Sequence, residues 1–140
     1  MSPAPQRARA SSLHEQLASS VKALRPFVPA KDFALSRRFY ADLGFTVEPL
    51  GDKLAEVSLG AHSFLLQDYY VEEWAGNFMM HILVDDVETW WRHIASLDLA
   101  SRYGVAPPQA PKRGSSGLDV AYVVDPSGVL WHIASAPKKR

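Results

Sequence analysis

The sequence predicts an α+β fold of two βαβββ modules. Three features point to it: an order of strands and helix that occurs twice, a capping aspartate before each helix, and a well-marked hairpin closing the second copy. Aligning Asp32 with Asp86 sets Tyr40 against Ile94 and Leu43 against Leu97. Caps and core positions then coincide at a period of about fifty-odd residues, although identity between the halves is low. The closing hairpin is Val120 to Ala134, where two apolar runs flank Asp125-Pro126-Ser127-Gly128. Pro126 presets one turn dihedral and Gly128 permits a positive φ, so turn chemistry and strand propensity agree.

In chain order, residues 1–23 form an extension. Met1 to Ala10, rich in Pro, Ala and Arg, is predicted disordered. Ser12 and Glu15 form a capping box for a short amphipathic helix with Leu13, Leu17, Val21 and Leu24 at helical spacing. Packing against the body or a second subunit is the plainest role for that stripe. Module one spans about 24–72. Residues 25–31 are extended, because Pro26 and Pro29 disfavour helix and Phe27 and Val28 favour strand. Asp32 caps a helix that turns Phe33, Ser36, Tyr40 and Leu43 inward and ends near Gly44. Phe45 to Pro49, Lys53 to Leu59 and His62 to Tyr70 are strands, punctuated by Gly51-Asp52 and Gly60-Ala61.

Module two spans about 77–135. Phe78 to Val84 is a strand, and Asp86 caps a helix carrying Val87, Trp90, Trp91 and Ile94 on or beside its buried face. Trp90 and Trp91 place one ring inward and one at a flank. A weaker strand is predicted at Ser101 to Val105, then a loop rich in Pro, Gly and Ser from Ala106 to Gly117, then the hairpin. In its second strand Leu130, His132 and Ala134 share one face, and Val129, Trp131 and Ile133 the other. Residues 136–140 are a solvated basic tail.

Composition narrows the function classes. The 140 residues are 47% hydrophobic, enough for one domain or two half-domains sharing a core. Fifteen basic residues balance fifteen acidic ones, which argues against nucleic acid or an anionic membrane as partner. With no cysteine there is neither a disulfide framework nor thiolate chemistry. No apolar run reaches membrane-spanning length, and a soluble, cytoplasmic protein is expected.

Three motifs in order resemble the vicinal oxygen chelate superfamily of glyoxalase, bleomycin-resistance and extradiol dioxygenase proteins. They are the run from Pro29 to Phe45, the run from Ile82 to Val87, and the run from Val124 to His132. The resemblance implies curved mixed sheets around a cavity, and commonly a homodimer. In metal-dependent relatives four inward side chains, His, Gln or Glu, hold the ion. By position these fall on Arg25, Met79, His132 and Phe64, or Leu66 if the register slips by two. Only His132 is a suitable donor, because a divalent ion needs several converging N or O ligands. The resemblance is therefore nearest the metal-free, drug-sequestering bleomycin-resistance branch, with no cofactor and an antibiotic-resistance role as its model.

The expected ligand is a small organic molecule, aromatic or cationic. Phe64, Asp68, Tyr70, Trp74, Phe78, His81 and His132 are the candidate binding residues, with Tyr69, Glu72 and Glu73 among them. Core or interface is the simpler reading of each aromatic singly; their clustering with acids favours a site. His132 has three readings: a satisfied core histidine, a hydrogen-bonding ligand contact, or a general base. No nucleophile accompanies it, and no catalytic residue is assigned. His14, His62 and His93 are expected to face solvent. The alternative is a metal-dependent lyase or dioxygenase with a shifted site using His81 and His132, with Gln67 or Asp68 as a third donor.

Overall fold

The computed structural model describes residues 4–138. Its element order is α1 (Ala4–Ser20), β1 (Phe27–Pro29), α2 (Phe33–Leu43), β2 (Thr46–Pro49), β3 (Leu54–Leu59), β4 (His62–Gln67), α3 (Glu72–Ala75), β5 (Met79–Leu83), α4 (Val87–Ser96), α5 (Leu99–Tyr103), β6 (Gln109–Arg113), β7 (Asp119–Val124) and β8 (Leu130–Ser135). The strands form two four-stranded sheets of the same topology, β1-β4-β3-β2 and β5-β8-β7-β6. In each, the first and last strands run parallel and the other neighbours antiparallel. The predicted repeat is thus present strand for strand.

Both predicted helix caps form. The Asp32 carboxylate accepts from the Leu35 amide at 3.1 Å, and the Asp86 carboxylate from the Glu88 amide at 3.1 Å. Gly44, at φ 122°, lets the chain turn out of α2 while its amide bonds back to the Tyr40 and Ala41 carbonyls. Four expectations need correction. The first helix begins at Ala4, so Ser12 and Glu15 lie within it and do not cap its start, and residues 1–3 lie outside those described. The strand predicted at Ser101 to Val105 is α5, ended by Gly104 in the left-handed region. The fourth strand of the second sheet lies instead inside the predicted loop, at Gln109–Arg113, an edge strand that tolerates Pro111 and a register shift. The strand from His62 stops at Gln67, and the short helix α3 follows.

One core serves both modules. Phe39, Tyr40, Leu43, Phe64 and Leu66 from the first meet Ile94, Leu99, Val123, Trp131 and Ile133 from the second. The rings of Tyr40, Phe45, Phe64 and Trp131 lie 5.1–6.0 Å apart in edge and tilted contacts. The hairpin turn is locked into this core by hydrogen bonds. Asp125 Oδ1 accepts from the amides of Ser127 (2.8 Å) and Val129 (2.9 Å), and Oδ2 accepts from the Tyr40 hydroxyl at 2.5 Å. Trp131 Nε1 donates to that hydroxyl at 3.0 Å, and the Lys31 amide donates to Ser127 Oγ at 2.8 Å. Burial raises the Asp125 carboxyl above its ordinary value; burial, then the Asp125 charge, pushes the Tyr40 hydroxyl well up. The two modules therefore share a polar bolt as well as an apolar core. His93, expected in solvent, also bridges them: its Nε2 lies 3.0 Å from the Leu43 carbonyl at the end of α2.

Candidate functional site: the outer face of the second sheet

Strand alternation gives each sheet an inner face on the core and an outer face away from it. Across the second sheet, direct cross-strand pairing builds one outer row from β5 to β6: His81, His132, Tyr122, Gln109. The His81 and His132 rings are 6.2 Å apart and inclined at 31°, and the Tyr122 ring meets His132 edge-on at 4.9 Å. Met79 and Leu83, on either side of His81 in the same strand, are 62% and 66% exposed. His132 is half-buried, but its Nε2 is covered and has no hydrogen-bond partner among the described residues. Burial, then the nearby His81, pushes its imidazole below the ordinary 6.5. The face thus offers two imidazoles, a phenol and flanking apolar groups, with one buried ring nitrogen unspent.

The equivalent row of the first sheet reads Phe27, Leu65, Glu56, Glu48. Arg25 pairs with Glu56 beside it. Phe27 is 53% exposed, so this face is uncovered too.

The predicted binding residues separate into groups. His81 and His132 come together as the shared strand face required. Phe64 does not join them: it is 2% exposed and packs on Tyr40, Phe45 and Trp131. The residue structurally equivalent to His132 is Leu65, because the β3–β4 turn is two residues long and the β7–β8 loop five. Counting from the turn glycine therefore slips by one residue, which reverses the face, and Leu66 fails for the same reason. Phe78 is half-buried against the core, and its carbonyl accepts from the Leu130 amide at 3.1 Å. Tyr70 lies under the Lys31 ammonium at 5.6 Å. Asp68 borders a charged surface groove with Lys31 and Arg37. Trp74 is 62% exposed and leans on Tyr69, ring centroids 6.1 Å apart. Tyr122 is absent from the predicted set, yet the closing turn fixes it opposite His132, and counting back through the hairpin finds it.

A metal cage of the kind the resemblance implies does not fit these residues. Arg25 is cationic and paired, Phe64 is in the core, and the Met79 thioether is no substitute for a carboxylate. Among the described residues no three His, Cys, Asp or Glu side chains converge on one point, so Asp68 does not complete a site with the two histidines. Nor is any described helix long and apolar enough to cross a membrane.

No protein-family model matches the chain, and no curated protein does. Solved structures do. A bleomycin-binding protein complexed with bleomycin superposes with a TM-score of 0.71 at 22% identity, over 84% of this chain and 100% of that one. A bleomycin resistance determinant encoded on the transposon Tn5 gives 0.71 at 21%, with the same coverage. A lactoylglutathione lyase from Agrobacterium tumefaciens gives 0.60 at 18%, over 82% and 94%. Those likenesses, the paired βαβββ modules and the common strand order together identify the architecture: the chain has the glyoxalase/bleomycin-resistance fold.

Proposed function

We propose that the protein is a metal-independent binder of a small organic molecule, acting by sequestration as a homodimer. The observation that carries this reading is the outer row His81, His132, Tyr122, with its unspent ring nitrogen and exposed apolar flanks. Such a face can stack on a flat ligand and hydrogen-bond it, but it holds neither a nucleophile nor a cation cage. The exposed Phe27, Met79 and Leu83 favour covering by a second copy. The first sheet's outer row adds the carboxylates of Glu48 and of Glu56, the latter paired with Arg25, so the outer faces of two copies form a groove suited to an aromatic or cationic ligand. The solved neighbours that bind bleomycin make that drug class the first ligand to try.

The test is calorimetric titration of the full chain with metal-free bleomycin and with copper(II)-bleomycin, beside sedimentation of the free protein. Saturable binding to a dimer, weakened at least about tenfold in Tyr122→Ala, is the expected result. A dimer that takes up neither form of the drug refutes the drug class; a monomer refutes the shared groove.

A further inference from the structure

Edge strand β5 has two faces, and the second has its own cavity. Its inward residues Met80 and Ile82, with Val84 just past its end, line a cleft of about 550 Å³ at the seam of the two modules, opposite the end of β3 and the start of β4 and beside α4. The floor is made by Phe45, Phe64 and Trp131, each almost fully buried, and the walls by Leu59, Met80, Ile82 and Trp90, all half-buried. The volume is within the range of about 300–1,000 Å³ usual for small-molecule sites. Among the described residues no Asp, Glu, Lys or Arg lines it. The other depressions described all carry such residues, among them Arg38, Asp42 and Arg102 at one and Lys31, Arg37 and Asp68 at another.

That lining selects its occupant. A charged molecule would lose hydration without gaining a counter-charge, since the floor indole Nε1 is already spent on Tyr40. The exposed His62 and His81 mark the mouth, where a single polar substituent could meet an imidazole. Four aromatic side chains and a thioether in the floor and walls favour a flat π-surface, through offset and edge contacts and sulfur–aromatic contact. We infer that this seam cleft is a second ligand site, taking a neutral one- or two-ring aromatic molecule, and that it meets the outer-face groove only at its rim, where His81 and Leu83 border both. This second site stands apart from the sequestration reading, because its floor and its walls at Met80 and Ile82 lie on the face of β5 opposite to His132 and Tyr122.

The probe is N-phenyl-1-naphthylamine, neutral and weakly emitting in water, added to the full-length protein. The expected result is a saturable, blue-shifted emission with energy transfer from tryptophan, and shifts in the methyl resonances of Leu59, Met80 and Ile82 but not of Met79 or Leu130. Leu59→Trp and Met80→Trp, which fill the cleft, weaken the probe at least about tenfold, whereas Tyr122→Ala leaves it unchanged. The methyl pattern is read on the unmodified chain, so it decides the matter even if a filled variant fails to fold. No saturable emission, or shifts at Met79 and Leu130 instead, overturns the inference while leaving the outer-face reading to its own titration.

Discussion

The two sheets were built to one plan and carry different chemistry on matching positions. The outer row of the first is Phe27, Leu65, Glu56, Glu48, and that of the second is His81, His132, Tyr122, Gln109. Their inner rows stay alike: Phe64 matches Trp131 and Leu66 matches Ile133, and the first two rings pack on one another 5.5 Å apart. The inner residues answer to a shared core, where a change of volume is felt across both modules. The outer residues are bound only by strand propensity and are free to differ. A duplicated scaffold can thus hold its shape while one face becomes acidic and the other imidazole-bearing.

The largest effects should come from the inner rows. Phe64→Ala and Trp131→Ala should each cost about 3–5 kcal/mol in chemical denaturation, while Leu65→Ala, the outward neighbour of Phe64, should cost far less. Equal loss at Phe64 and Leu65 would break the inner and outer distinction. The bolt between the modules comes next. Asp125→Ala strips the Tyr40 hydroxyl and two turn amides of their buried acceptor and should cost about 3 kcal/mol. Asp125→Asn, which keeps an acceptor, should recover a part of that.

A smaller effect, on affinity and not on folding, should follow from giving the second sheet the first sheet's pair. The double variant His81→Phe with His132→Leu should weaken bleomycin at least about tenfold, near 1.4 kcal/mol, with stability held to about 1 kcal/mol of the parent. Undiminished binding by the variant would remove the imidazole pair from the site.

How far the sequence discloses this depends on whether local chemistry or distant pairing decides an element. Asp32, Asp86, Gly44 and the turn from Asp125 to Gly128 act on their own neighbours, and each is where reading the chain puts it. Alternation along β8, with the repeat carried to β5, is enough by itself to bring His81 and His132 to one face. β6 is different. Gln109–Arg113 has no alternation and includes Pro111, and its strand character comes from β7 alongside it. Leu99–Tyr103 contains residues that suit a strand, but a left-handed Asp98 and the Gly104 cap make it a helix. Phe64 falls on the binding face by sequence counting only because one turn is three residues shorter than its counterpart, a difference of parity that composition does not reveal. The seam cleft needs both modules in place, so no stretch of sequence announces it.

The smallest effect separates the rows by pH. His132 has its imidazole pushed below 6.5 by burial and by His81, whereas in the unfolded chain it titrates near that ordinary value. As the pH falls through 6.5, the unfolded chain takes up a proton that the folded chain accepts only at lower pH. The unfolded state then binds more protons, so this group's contribution to stability is present above 6.5 and is lost as the pH falls toward the folded value. Melting temperatures measured between pH 7.5 and 5.5 should fall less steeply in His132→Gln than in the parent. Leu65→Gln, the matching change in the first sheet, should leave the slope as it was, because no imidazole stands in that row. His81→Gln should give an intermediate slope, since it removes the lesser of the two causes and leaves burial in force. Parallel slopes for the parent and His132→Gln would mean that the second sheet's outer row is electrostatically no different from the first.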